Sequence, residues 1–197
     1  MTAAPQGRGR GRRAGRGRSP EVRILAGRWR GRRLEAPADA RPTSGRAREA
    51  LFDLLGERVA GARVLDLFAG SGAVGLEAVS RGAAAAVLVE QDARAIRGTL
   101  ERLGPDGAAV RLIAAEAADG VEELARAGER FDVVFADPPY FVEPLAAGLA
   151  RAARLLEPGG VLILQRDHGD GSGELPGLKA VGRRSYGRNV FVFYELL

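Results

Sequence analysis

From residue 63 onward the chain alternates short apolar runs with amphipathic ones, and turn residues mark each change. Residues 63–68, 86–90, 110–114, 131–136 and 161–165 are nearly continuous apolar runs of strand length, rich in Val, Leu, Ile and Phe. Between them, 73–81, 93–103, 119–127 and 144–156 carry apolar residues at helical spacing. Gly82, Gly104-Pro105, Gly128 and Pro158-Gly159-Gly160 stop these helices. Strands that are apolar on both faces, each followed by a helix, predict a parallel sheet covered on both sides. After a polar, glycine-rich loop over 166–177, the segments 179–186 and 190–196 read as two β segments around Gly187. The expected class is therefore α/β, a doubly wound Rossmann-like sheet, mostly parallel, with an antiparallel hairpin at its C-terminal edge.

Upstream the pattern changes twice. Residues 43–56 predict a helix: Thr43 or Ser44 caps it, Leu51, Leu54 and Leu55 form its apolar face, and Gly56 ends it. Residues 22–36 predict short strands around Gly27 and Gly31, a small hairpin ahead of the sheet. Residues 1–20 alternate Gly and Arg and hold no apolar face, which predicts a disordered arm.

Charge divides the chain along the same lines. Residues 1–20 carry six arginines and no acids, and 21–48 carry eight arginines against three acids. Residues 49–176 carry 12 basic and 21 acidic groups. A net-acidic core between basic flanks suggests a polyanionic substrate held by the flanks; flanks that serve solubility alone are the plainer reading. With Lys179 the one lysine among 30 bases, coding preference also enlarges every arginine patch. On the hairpin, Arg28, Arg30, Arg32 and Arg33 surround Trp29, the one tryptophan. This makes either an RNA-stacking surface or a hairpin anchored by its indole. Arg41, Arg46 and Arg48 gather at the start of the following helix, where cations oppose the helix dipole unless they face an anion. The chain lacks cysteine and has one histidine, His168, so neither disulfides nor a Cys/His metal site are expected. No apolar run reaches membrane length, and the N-terminus lacks a signal-peptide core. A soluble, cytoplasmic monomer is the default expectation.

Three strand ends carry candidate chemistry. Asp66-Leu67-Phe68-Ala69-Gly70-Ser71-Gly72-Ala73-Val74-Gly75 holds a G-x-G-x-x-G immediately after a strand. A dinucleotide site is one reading. Asp66, four residues before the first glycine, suits a cationic group instead, and Glu90 ends the next strand, where an acid binds ribose hydroxyls in either reading. An acid-lined cleft of this kind fits S-adenosylmethionine, whose sulfonium and amino group are positive. Phe68, Ala69, Gly70, Gly72, Gln91, Glu116, Ala117 and Asp137 complete the candidate cofactor-binding set. Asp137-Pro138-Pro139-Tyr140 follows the fourth strand. The exocyclic amine of a nucleobase is a weak nucleophile because its lone pair is delocalised into the ring. An acceptor on each N–H aims the lone pair outward: Asp137 supplies one, a prolyl carbonyl such as that of Pro138 the other, and Pro139 stiffens the turn. Tyr140 offers a ring on which an extruded base stacks.

These motifs resemble those of class I S-adenosylmethionine-dependent methyltransferases. More narrowly, Arg23-Ile24-Leu25-Ala26-Gly27-Arg28-Trp29-Arg30-Gly31-Arg32 is similar to the opening of the bacterial RsmD-type enzymes. So is Arg41-Pro42-Thr43 with Arg46, Arg48, Glu49, Leu51 and Phe52. The resemblance covers about residues 21–197. It implies an RNA-binding hairpin and helix over 21–58, a methyltransferase domain over 59–197, and methylation of guanine N2 in 16S rRNA, within a 30S particle or assembly intermediate. Gly45, Gln165-Arg166 and Tyr186-Gly187-Arg188-Asn189 depart from the family pattern. An amino-methyltransferase of another RNA or DNA, an NAD-type oxidoreductase and a non-catalytic RNA-binding assembly factor remain alternatives.

Overall fold

A computed structural model describes residues 22–36, 44–139, 143–168 and 175–197. The expectations for the arm at 1–20, for Arg41 and for Tyr140 lie outside the described residues. In chain order the elements are β1 (Val22–Arg23), β2 (Arg33–Leu34), α1 (Gly45–Leu55), β3 (Arg63–Leu67), α2 (Ala73–Ser80), β4 (Ala85–Val89) and α3 (Arg94–Leu103). There follow β5 (Val110–Ile113), α4 (Ala117–Arg126), β6 (Phe131–Ala136), α5 (Glu143–Ala153), β7 (Leu156–Asp167), β8 (Leu178–Tyr186) and β9 (Asn189–Leu196). The main sheet runs β5-β4-β3-β6-β7-β9-β8. The first five strands pair in parallel, and β9 and β8 close the edge antiparallel, as the alternation predicts.

Successive side chains of a strand point to opposite faces, and each inner strand divides its apolar residues accordingly. Val64, Ala86, Leu88, Val133, Phe135 and Ile163 pack with Leu51 and Phe52 of α1, Val74 and Leu76 of α2, and Ile96 of α3. Leu65, Leu67, Val87, Val89, Val134 and Leu164 pack on the other face with Leu124 of α4 and Leu149 of α5. Each fully buried leucine contributes about 2 kcal/mol through removal of apolar surface from water. Asp66 and Gln165 share the parity of the first set, so both point toward the α1/α2 face.

One boundary differs from the sequence reading. Helix α5 stops at Ala153, and β7 starts at Leu156 instead of residue 161. Leu156 already pairs with Phe131, and the register shifts before Val133 meets Val161. Pro158-Gly159-Gly160 is therefore an irregularity within a strand. Only glycine fits at Gly160, because a Cβ there would lie 2.9 Å from the Glu157 carbonyl and 3.1 Å from that of Phe131.

The N-terminal hairpin is built into the core. Val22, Ile24, Trp29 and Leu34 join the apolar cluster beneath α1, α2 and α3. The hairpin turn sits on the C-terminal end of α2: Arg28 donates its backbone N–H to the Ser80 carbonyl at 2.9 Å. Ser80 Oγ donates to the Ala26 carbonyl at 2.6 Å and accepts from the Trp29 backbone N–H at 2.9 Å. At Gly27, with φ of 78°, a Cβ would fall 1.8 Å from the Ser80 carbonyl oxygen. Helix α1 is capped by Ser44, whose hydroxyl accepts from the Ala47 N–H at 3.2 Å. It runs in the direction of α2: Arg48 reaches Glu77, and one turn on, Phe52 lies under the Arg81 guanidinium.

Candidate active site

The site forms where strands β3, β4 and β6 end. After β3 the chain turns sharply through Phe68, at φ of 60°, and Gly70 and Gly72, at 56° and 72°. A bulky residue in the left-handed region costs about 1–2 kcal/mol. The turn is held closed by Gly72 N–H donating to the Ala69 carbonyl (2.7 Å) and tied to β4 by Ala69 N–H donating to the Val89 carbonyl (3.1 Å). Helix α2 then starts against the sheet; at Gly75 a Cβ would lie 2.1 Å from a Leu88 methyl group. This close packing explains the third glycine of the motif.

One amide of this turn and one in the first turn of α2 are committed to carboxylates. Gly70 N–H donates to Glu90 Oε2 at 2.7 Å, and Gly75 N–H donates to Asp66 Oδ2 at 2.9 Å. Glu90 also accepts from the Asp92 N–H at 2.9 Å. A pyrophosphate here would meet two carboxylates where it needs N–H donors, so the geometry speaks against the dinucleotide reading of G-x-G-x-x-G. Asp66 is 1% exposed. Burial first, with the charges of Asp137 and Glu90 behind it, pushes its carboxyl up to about 7 against the pull of the Gly75 N–H. Three acids at one sheet edge make a negative cleft that fits a cationic ligand.

Asp137 follows directly on β6, and its N–H reaches the Leu67 carbonyl at 3.5 Å, which sets it beside the glycine turn. Its Oδ2 accepts from Gln165 Nε2 at 2.9 Å. Pro138 is half-buried and Pro139 exposed, so the turn faces outward. Gln91 and Glu116 lie side by side at the ends of β4 and β5, with Gln91 Nε2 at 3.4 Å from Glu116 Oε1. Gln91 and Glu116 are both exposed, and half-buried Ala117 opens α4 next to them. Phe68, half-buried, packs on the far face of the sheet. The structure thus brings the cofactor candidates to one edge.

Two of the candidate RNA-binding residues are corrected. Trp29 is 2% exposed and Arg48 is 2% exposed, so neither meets a solvent-borne polyanion. Trp29 plugs the hairpin onto α2 and α3, lining a cavity of about 340 Å³ with Ile24, Leu34, Leu76 and Leu103. The Arg28 guanidinium covers its ring at 4.5 Å. Arg48 crosses the core: Nη2 donates to the Arg23 carbonyl at 2.5 Å, and Nε lies 3.9 Å from Glu77. Burial draws the Arg48 pKa below its ordinary value, partly offset by Glu77. An alternation of arginine and glycine does not reveal which cation turns inward. Arg28, Arg30, Arg32 and Arg33 of the hairpin and Arg46 of α1 are exposed. Arg32 also bridges to Asp106 at 3.1 Å, a surface pair worth under about 1 kcal/mol.

Two residues on α2 escaped the sequence reading as partners of the hairpin. Glu77 is 0% exposed and accepts from the Leu25 and Ala26 backbone N–H groups at 2.7 and 2.9 Å and from Arg81 Nε at 2.8 Å. Ser80 completes the clamp. The signal was an acid and a hydroxyl inside a helix whose residues are all buried, since buried polar groups require partners.

A glycine turn, strand-end acids and a parallel sheet closed by an antiparallel hairpin are the fold and edge of the S-adenosylmethionine-dependent methyltransferases. Residues 22–195 match the family described as conserved hypothetical protein 95, and the chain belongs to that family. It is 42% identical over 125 residues to the ribosomal RNA small subunit methyltransferase D of Escherichia coli K12, a match covering 62% of each chain. The chain thus spans less than two thirds of that relative's length. Among solved structures, a hypothetical protein of Thermus thermophilus is 42% identical with a TM-score of 0.75, covering 89% of this chain and 99% of that one. The T. thermophilus 16S rRNA N2 G1207 methyltransferase, solved with AdoMet and guanosine, shares the fold at a TM-score of 0.64 and 24% identity, covering 90% of this chain and 50% of the other. Among the described residues no helix is long and apolar enough to cross a membrane.

Proposed function

We propose that the protein methylates the exocyclic N2 amine of a guanine in small-subunit ribosomal RNA, with S-adenosylmethionine as donor. The observation that carries this reading is the convergence of Asp66, Glu90 and Asp137 on one strand edge, with the Gly70 and Gly75 N–H groups given to Glu90 and Asp66. Glu90, with the Gly70–Gly72 turn, Gln91, Glu116 and Ala117, would hold the cofactor, and Asp66, buried beneath the turn, would favour its positive charge through space. When bound, S-adenosylmethionine supplies an activated methyl group. Asp137 accepts one N–H of the guanine amine, and the Pro138 carbonyl accepts the other. The lone pair is thereby turned out of the ring plane toward the donor, in an oriented near-attack arrangement. The amine exchanges one hydrogen for methyl, and the proton leaves to Asp137 or to water. Tyr140 would stack on the base. Arg28, Arg30, Arg32, Arg33, Arg46 and Arg41 would contact phosphates, which carry most of the affinity for RNA.

The substrate in this reading is 16S rRNA within a 30S particle or an assembly intermediate, the protein acts as a monomer, and its compartment is the cytoplasm. The similarity to the E. coli enzyme supports ribosomal RNA as the substrate. The test is transfer of labelled methyl to 30S particles and to naked rRNA lacking the modification, with the modified base mapped. Asp137→Ala should abolish transfer while S-adenosylhomocysteine binding falls by less than about threefold. Unchanged turnover in that variant would refute the assignment.

A further inference from the structure

The three acids at the strand edge pose a problem that the chain answers with Gln165. Like charges in one cleft push each other toward protonation, and Asp66 already feels both Glu90 and Asp137. A protonated Asp137 would present a donor where the reacting amine needs an acceptor. Gln165 follows Val161 and Ile163 on the same face of β7, and it is 4% exposed. Its Nε2 lies 2.9 Å from Asp137 Oδ2 and 3.4 Å from Asn189 Oδ1. A primary amide nitrogen only donates, and an ionised carboxylate only accepts. The pairing therefore favours the ionised form of Asp137, the stronger acceptor, and one orientation of its carboxylate. Asn189, at the start of β9 and antiparallel to β7, fixes the amide in turn. Three adjacent strands, β6, β7 and β9, each position one member of this chain of contacts.

We propose that Gln165 is a positioning residue, which holds the Asp137 carboxylate ionised and aimed at the amine that is methylated. The inference rests on the amine-methyltransferase reading above. A leucine of similar volume would fill the same space between strands but could not donate to the carboxylate.

Two variants test this on the full chain. Gln165→Leu should lower kcat for methyl transfer roughly tenfold to a hundredfold, the scale expected for misplacing a reacting group. KM for S-adenosylmethionine should stay within about twofold. Gln165→Glu should behave differently with pH. While the introduced carboxyl is protonated it still donates to Asp137, so transfer is kept at low pH. Once both acids are ionised they repel, and activity should fall about tenfold per pH unit, over a range where the unmodified protein is flat. A kcat within twofold of the unmodified protein for Gln165→Leu, or an unchanged pH profile for Gln165→Glu, would overturn the proposal. Should Gln165→Leu fail to fold, the near-isosteric Glu variant still decides it. Should the unmodified protein transfer no methyl to guanine-bearing RNA, the functional reading fails, and carboxyl ¹³C titration decides the positioning alone: Gln165→Leu must raise the pH at which Asp137 titrates, and no change refutes it.

Discussion

Helix α2 carries one buried carboxylate and packs on another, and they are treated in opposite ways. Glu77, near its C-terminal end, is surrounded by donors: two backbone N–H groups of the hairpin, Arg81 at 2.8 Å and Arg48 at 3.9 Å. Asp66, beneath its N-terminal end, accepts the Gly75 N–H at 2.9 Å, and the charges that press on it are two further acids. Both side chains are almost fully enclosed. A buried charge that the chain itself neutralises is architecture. A buried charge set among like charges raises the free energy of the unliganded protein and is relieved by a cation. The first acid joins the hairpin to α2, and in the proposed function the second prepares a place for a positive ligand.

Removal of Glu77 should break this contrast most forcefully. Glu77→Ala strands Arg48 in the core and leaves two backbone N–H groups unpaired, at a cost of about 3–5 kcal/mol. Urea unfolding measures it; a loss below about 1 kcal/mol would mean that the clamp is not structural. Gly27→Ala is narrower. The added methyl collides with the Ser80 carbonyl, and the left-handed backbone disfavours it, so a cost of about 2 kcal/mol is expected. RNA affinity should drop with it while S-adenosylhomocysteine affinity stays within about twofold, as calorimetry on the same sample can show. Equal losses of both would mean that the two ends of α2 are not separable.

The smallest effect sharpens the Asp66 side of the contrast. Burial and the neighbouring acids push its carboxyl up to about 7 in the free protein, and the positive amino group that S-adenosylhomocysteine keeps favours its ionised form. Below pH 7, binding S-adenosylhomocysteine must therefore release a proton. Affinity should weaken by up to tenfold, about 1.4 kcal/mol, for each pH unit below 7 and level off above it. Asp66→Asn should bind more weakly and lose this slope. A flat profile in the unsubstituted protein would assign the ligand's amino group to another residue.

The sheet was legible because its strands are apolar on both faces and short, so that periodicity, length and glycine punctuation agree. The run 131–136 is the strand Phe131–Ala136. The strand-end acids were legible because a carboxylate that closes an apolar run has little structural reason to be there. Other features depend on which residues meet across long separations. Trp29 and Ser80 stand 51 positions apart, and Asp137 and Gln165 stand 28 apart. No local pattern encodes such pairs. Arg48 looked like its basic neighbours because the sequence shows that a side chain is charged and not which way it turns. Pro158-Gly159-Gly160 read as a helix stop because the same residues that end helices also permit a break within a strand.

Helix α2 has eight residues and is therefore about 12 Å long. One end carries the glycine turn proposed to hold the methyl donor, and the other carries the clamp that seats the basic hairpin. No hinge lies between them, since every residue of α2 is buried. In the proposed function the helix is thus a ruler between phosphate grip and reacting base. Lengthening it by one residue would turn the hairpin about 100° around the helix axis and present a different nucleotide, or none, to Asp137.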